Sequence, residues 1–101
     1  MDNNSLKYYL IFYADYILLK SDNECKSKDK KLGDFTFLEE CAEACGNMAG
    51  CNFFIYGKTS KQGRCYWEKT SDSTCTEGWE EDEYDFYEFP RSKFSFNHFN
   101  F

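Results

Sequence analysis

The six cysteines are the residues of this 101-residue chain whose type and spacing could do chemistry. Redox catalysis would require a Cys-x-x-Cys motif with a thiolate stabilised at a helix N-terminus. Cys41 and Cys45 are instead four apart, and Cys45 falls near the C-terminus of a predicted helix, where the dipole disfavours a thiolate. A zinc site would lack paired Cys-x2-Cys knuckles and would leave two thiols unused. The spacing therefore favours structural disulfides, and no metal site is predicted.

Other catalytic groups are sparse. Hydrolysis by Ser/His/Asp or Cys/His machinery would have to use His98, the single histidine, which lies among phenylalanines in the C-terminal tail. The acidic run at residues 77–88 follows no EF-hand pattern, and a domain of this size offers little room for a glycosidase cleft. We therefore predict a protein that is not an enzyme and that has no cofactor.

Composition indicates a small cross-linked domain. A chain of this length has a marginal core without reinforcement, which three disulfides would supply. Disulfides persist in oxidising compartments, so we expect an extracellular or cell-surface protein of the secretory pathway. The net charge of −6 argues against a nucleic-acid partner. The aromatic content of 21% predicts a core of Phe, Tyr and Trp and favours strands.

One helix is predicted to begin at Thr36. Thr36 with Glu39 three residues later matches a capping box. Gly46 is predicted to end the helix in a left-handed conformation. An inward stripe at helical spacing comprises Leu38, Cys41, Ala42 and Cys45.

Three aromatic segments, 51–56, 64–69 and 84–89, are predicted strands, and the first two are joined by a turn at 57–63. Residues 21–34 and 70–79 are predicted loops. The apolar segment Tyr8–Leu19 is too short to span a bilayer. It is either an aromatic strand or a poor signal peptide, and both interpretations stay open.

Helix phase indicates how the cysteines pair. Side chains four residues apart share a helix face, so both helical cysteines point at the same sheet. A short turn allows Cys45 to form a local disulfide with Cys51. Cys41, one helical turn earlier, then reaches Cys65 on the neighbouring strand. The two outermost cysteines would tie the flanking loops. This scheme gives Cys45–Cys51, Cys41–Cys65 and Cys25–Cys75.

Strand alternation predicts which aromatic side chains face the helix. If the strand cysteines face it, so do Phe53, Ile55 and Trp67. The opposite face is then either an exposed aromatic platform for sugars or proteins, or a surface covered by Tyr8–Leu19. Its residues would be Phe54, Tyr56, Tyr66 and Tyr87.

Two further candidate ligand contacts lie outside that platform. Trp79 stands beside Gly78 and the acidic run. The tip of the hairpin is basic and suits acidic glycans or carboxylates, through Lys58, Lys61 and Arg64.

The segment LEECAEACGNMAGCNFFIYGKTSKQGRCYWEKT resembles the PAN/apple domain. It has a helix with Cys-x3-Cys, a short turn to a third cysteine, an aromatic strand, a hairpin and a fourth cysteine. The ending EGWEEDEYDFYEF is also similar to single PAN modules. The resemblance implies an α+β fold, a small disulfide-rich domain whose antiparallel β-sheet cradles a single α-helix. It implies the same three nested disulfides, of which the outer one, Cys25–Cys75, varies most in the family.

The resemblance also implies a function. Family members are extracellular adhesion modules that bind proteins or carbohydrates, usually within larger proteins, and no shared ligand motif runs through them. We accordingly expect an N-terminal hydrophobic segment at 1–24, the PAN/apple-like domain at 25–89 and a tail at 90–101, with no membrane span. The alternatives are a structural domain whose aromatic face is an assembly interface, and a small secreted inhibitor or effector.

Overall fold

The computed structural model describes residues 16–91 of the chain. Within that range the backbone forms one α-helix and seven short strands, and a 3-10 helix at Thr59–Lys61 lies in the β4–β5 hairpin. In chain order the elements are β1 (Ile17–Lys20), β2 (Asn23–Cys25), β3 (Asp29–Asp34), α1 (Leu38–Gly46), β4 (Phe53–Gly57), β5 (Arg64–Glu68), β6 (Trp79–Glu81) and β7 (Tyr84–Glu88).

A five-stranded antiparallel sheet in the order β1-β7-β4-β5-β3 is the centre of the fold. Helix α1 packs on one face of this sheet, across β3, β4 and β5. Strands β2 and β6 pair with each other as a second, two-stranded sheet on the opposite face. The predicted α+β fold, with one helix on an antiparallel sheet and three disulfides, is confirmed.

Both faces of the five-stranded sheet are covered at its centre, around β4. The face toward α1 holds Phe54, Tyr56 and Tyr87 together with the inner disulfides. The face toward the two-stranded sheet holds Phe53, Ile55 and Phe86 with Cys25 and Cys75. All five residues of β4 are consequently buried, which is typical of a strand covered on both sides.

The prediction of which β4 side chains face the helix is therefore wrong by one residue. Phe54 pairs with Trp67 and Tyr56 with Cys65 across the hairpin, so Phe54 and Tyr56 face the helix, and Phe53 and Ile55 face away. Cys51 precedes the strand, and its N–H donates to the carbonyl of Met48 in a turn. Alternation counted from Cys51 is consequently out of phase with β4, whereas the predicted facing of β5 is correct.

The helix begins one residue later than the capping box predicts. The N-cap is Phe37, whose N–H donates to the carboxylate of Glu40 at 3.0 Å. Glu39 instead accepts the hydroxyl of Tyr16 at 3.1 Å. Gly46 is the last helical residue as predicted, but Asn47 follows with a right-handed φ of −83°. The left-handed position in this turn is Gly50, with φ of +90°.

Two predicted loops contain strands. Residues 21–34 hold β2 and β3, and residues 70–79 end in the first residue of β6. Strand β3 lies at the sheet edge, and its side chains are exposed or half-buried, so its lysine-rich sequence lacks the apolar alternation of a strand. Residues 17–19 of the Tyr8–Leu19 segment lie in β1, Tyr16 precedes it, and residues 8–15 are outside the described range.

The disulfides connect the layers. Cys41–Cys65 joins α1 to β5, and Cys45–Cys51 joins α1 to the chain before β4. Cys25–Cys75 joins the end of β2 to the loop before β6. These are the three pairs that helix phase and the family resemblance indicate. Within the described range no helix has the length and apolar character needed to cross a bilayer.

Candidate ligand-binding surface

Three residues of the predicted aromatic platform lie in the core. Phe54, Tyr56 and Tyr87 are 0%, 9% and 7% exposed and belong to the core layer that contains α1. Phe54 and Tyr87 stack with ring centroids 5.1 Å apart, and Tyr56 donates its hydroxyl to the carbonyl of Phe35 at 2.6 Å. Burial raises the pKa of Tyr87 to about 12. Of the two alternatives for this face, the exposed platform is wrong for these three residues. Tyr16, from the Tyr8–Leu19 segment, packs edge to face against Phe54 and Tyr87, with ring centroids 6.2 and 5.5 Å away.

Tyr66, the fourth residue of that platform, lies on the other sheet face and is half-buried. Its ring meets the ring of Tyr84 edge to face, with centroids 6.1 Å apart. The ammonium of Lys31 lies 5.9 Å from the centroid of Tyr66, and that of Lys61 lies 5.2 Å from the centroid of Tyr84. The structure therefore places one lysine ammonium near each of these two tyrosine rings.

Arg64 completes this group. Burial raises the pKa of Tyr84, and a hydrogen bond from the side chain of Arg64 opposes that rise. The side chain of Arg64 is exposed, and no carboxylate among residues 16–91 forms an ion pair with it. We call the group the Tyr66 cluster, and it consists of Tyr66, Tyr84, Lys31, Lys61 and Arg64.

The other predicted cations already have acidic partners. Lys58 lies 2.8 Å from carboxylate oxygens of both Asp22 and Asp85, and these hydrogen bonds raise its pKa. Lys61 forms an ion pair with Asp82 at 2.7 Å. Lys58 is thus fixed in an internal network on the β4–β5 hairpin and is less available to a ligand than Arg64.

Trp79 is half-buried and belongs to the second core layer. Its ring meets Phe86 edge to face at 4.8 Å between centroids, and the ammonium of Lys20 lies 5.4 Å from its ring. The indole supports the β2–β6 sheet against β7, so its role in packing is clear from the structure. Its role in binding stays a prediction.

Sequence reasoning missed Lys31 and Tyr84 as members of the cluster. Lys31 belongs to a basic run that was predicted to be a loop, but β3 places it opposite Tyr66 in the sheet register. Tyr84 begins β7, and only the order of the strands reveals that it lies near β5. Neither position has a sequence signal of its own.

The comparison with protein families agrees with this architecture. The family model for the PAN domain matches residues 13–91, so the chain belongs to the PAN-domain family. PAN domains are generally non-catalytic modules that bind proteins or carbohydrates, and they are typical of extracellular proteins. The match includes β1, which lies ahead of the predicted start at residue 25. No curated protein and no solved structure matches the chain significantly.

Proposed function

We propose that this PAN domain is an extracellular, non-catalytic module that binds a carbohydrate with carboxylate or sulfate groups through the Tyr66 cluster. The observation that carries the proposal is the exposed side chain of Arg64, which hydrogen-bonds to Tyr84 and lies two residues from Tyr66 on β5. Family membership supports the binding role, and the chemistry of the cluster supports the class of ligand.

The cluster combines two kinds of recognition. The apolar face of a sugar ring packs against a partly exposed aromatic ring, here that of Tyr66. A guanidinium offers a planar pair of donors that matches the two oxygens of a carboxylate or sulfate, here from Arg64. Tyr66 and Lys31 lie opposite each other on β5 and β3, so rigid strands hold the aromatic and a basic group side by side.

Most of the aromatic residues on which the alternative of an assembly interface depends are buried. Phe54, Tyr56 and Tyr87 are buried in the core layer that contains α1 and are not available to a partner in the folded domain. The alternative of a small secreted inhibitor or effector stays a prediction, and no described contact favours it over carbohydrate binding.

The test is a glycan array containing uronic-acid and sulfated sugars, followed by calorimetry on the best ligand. Arg64→Gln should weaken binding at least tenfold, about 1.4 kcal/mol, because the charged hydrogen bonds are lost. Lys30→Gln is the matched control, since Lys30 lies opposite Trp67 and so faces the helix side of β3. Tyr66→Leu should also reduce affinity while circular dichroism shows an intact fold.

Three results would contradict the proposal. One is an array on which neutral sugars bind as well as acidic ones. A second is equal loss of affinity in Arg64→Gln and Lys30→Gln, which would indicate a nonspecific effect of charge. The third is binding to a protein ligand alone, which would replace carbohydrate as the ligand class.

A further inference from the structure

Three carboxylates meet where the two sheets approach each other. Glu24 comes from β2, Asp29 from β3 and Glu68 from β5, and one carboxylate oxygen of each lies within 4.8 Å of the others. Asp29 and Glu68 are directly opposite each other in the β3–β5 ladder. Glu24 reaches them from the two-stranded sheet. The group is separate from the Tyr66 cluster and does not depend on the proposed function.

Glu68 is the unusual member of this group. Its residue is 0% exposed, which is rare for a glutamate. Its Oε1 accepts the hydroxyl of Ser27 at 2.8 Å, whereas its Oε2 is buried and has no hydrogen-bond partner within residues 16–91. A buried carboxylate oxygen without a partner is costly, so a group that pairs with it is expected.

No basic side chain among the described residues forms an ion pair with Glu68. Among residues 16–91 the ion pairs of Lys31, Lys58 and Lys61 go to other carboxylates, and none involves Glu24, Asp29 or Glu68. Lys69, next in sequence to Glu68, places its ammonium 4.6 Å from the ring of Trp67. The three carboxyl groups therefore lie together without an ion pair to a basic side chain of the described residues.

The pKa values of two of these carboxyl groups are raised. Burial raises the pKa of Glu68 to about 8, helped by the charges of Asp29 and Glu24 and opposed by the hydrogen bond from Ser27. Burial also raises the pKa of Glu24 to about 7, and its hydrogen bond with Asp82 adds to this rise. The charges of Asp29 and Glu24 disfavour the ionised form of Glu68, and a cation bound between these carboxylates would offset that repulsion.

We propose that Glu24, Asp29 and Glu68 bind a Ca²⁺ ion that ties the two-stranded sheet to the five-stranded sheet. All donors are carboxylate oxygens, which suits a hard cation such as calcium better than zinc, whose sites include His nitrogen or Cys sulfur. Calcium–oxygen distances of 2.3–2.6 Å place two ligands on opposite sides of the ion at roughly 4.6–5.2 Å. Oxygens within 4.8 Å of one another therefore need little movement to close around it.

This proposal departs from the expectation, drawn from the sequence, that the protein has no metal site. The three residues come from three strands and have no loop motif, so their spacing in the chain gives no signal. A second group of possible ligands, Cys25, Cys75 and Glu77, is not a metal site, because both of its sulfurs are in a disulfide.

The test is a calcium titration of the EDTA-treated full chain, followed by calorimetry and by thermal unfolding at constant ionic strength. We expect one site with a dissociation constant on the order of 10⁻⁴–10⁻³ M, the range of extracellular calcium modules. Calcium should raise the melting temperature, and magnesium should raise it less because it requires stricter octahedral geometry.

Asp29→Asn should weaken calcium affinity at least tenfold. Asp34→Asn is the matched control, because it makes the same change at an exposed position of the same strand and should leave affinity unchanged. Glu68→Gln should abolish the calcium response. If that variant does not fold, Asp29→Asn still decides, because Asp29 is exposed.

Three outcomes would overturn the proposal. The first is no calcium-dependent change in the wild-type chain up to about 10 mM, well above the expected dissociation constant; Glu68 would then be held as the neutral acid. The second is equal calcium affinity in Asp29→Asn and wild type. The third is an equal rise in melting temperature with calcium and magnesium, which would indicate screening of charge and no specific site.

Discussion

The guanidinium Nη2 of Arg91 lies 2.7 Å from the carbonyl oxygen of Met48. The same nitrogen also donates to the carbonyls of Cys45 and Gly46, and Nε donates to the carbonyl of Cys51. The last carbonyls of a helix have no partner within the helix, and here one side chain from beyond β7 pairs with two of them, those of Cys45 and Gly46. Arg91 thus connects the chain after the last strand to the end of α1 and to the turn before β4.

Replacing Arg91 should destabilise the domain even when the charge is kept. Arg91→Lys should lower the free energy of unfolding by about 1.5–3 kcal/mol, because a single ammonium cannot reproduce hydrogen bonds from two nitrogens of a planar fork. Urea unfolding measures the loss, and Lys30→Arg is a neutral surface control. A stability equal to wild type in Arg91→Lys would show that charge alone matters at this position.

Gly46 is required by close packing and not by its backbone angle. A Cβ at this position would lie 2.5 Å from Cε2 of Phe89. Gly46→Ala should therefore destabilise by about 1–3 kcal/mol through overpacking, although alanine is the better helix former by about 1 kcal/mol. Combining it with Phe89→Leu should recover part of the loss in urea unfolding. A gain in stability from Gly46→Ala alone would show that the ring moves aside easily.

Glu83 should make stability depend on acid pH. Its carboxylate accepts hydrogen bonds from the hydroxyl and N–H of Ser60 and from the hydroxyl of Thr59, and these lower its pKa below the usual 4.5. A lowered pKa in the folded state gives stability that is present above pH 4.5 and is lost as pH falls through the folded value.

The measurement is the urea midpoint as a function of pH for wild type and Glu83→Gln. Wild type should be the more stable protein at neutral pH, and the difference should shrink as the carboxylate is protonated in acid. Glu43→Gln changes an exposed helical glutamate and serves as the control. A constant difference between wild type and Glu83→Gln across this range would contradict the prediction.

The parts of the fold that sequence predicts are those with local signals. Cys41 and Cys45 lie one helical turn apart, and Gly57 and Gly63 bracket the hairpin, so the helix, the β4–β5 turn and the disulfide pairs follow from spacing. The helix and the turn depend on residues close together in the chain, where the periodicity of the backbone is the deciding constraint. The two disulfides with separations of 24 and 50 residues follow from helix phase and from the cysteines that remain.

The parts that sequence does not predict depend on contacts between distant elements. The facing of Phe54 and Tyr56 depends on the residue at which β4 begins, and a shift of one residue exchanges the two faces. Strand β3 exists because the edge of β5 pairs with a lysine-rich segment of low strand propensity. The group of Glu24, Asp29 and Glu68 forms only when three strands come together. Arg91 likewise gains its role from carbonyls that no sequence pattern marks.

The burial of β4 on both faces has a consequence for how the domain opens. Its backbone is bonded to β7 on one side and β5 on the other, and its side chains are enclosed by α1 and by the second layer. No local fluctuation can expose the amide of Ile55 to solvent, so its hydrogen exchange occurs only through global unfolding. The edge strands β1 and β3 can separate from the sheet at lower free energy. Local opening of this domain is therefore confined to the edges of the sheet, and the amides of β4 exchange at the rate of global unfolding.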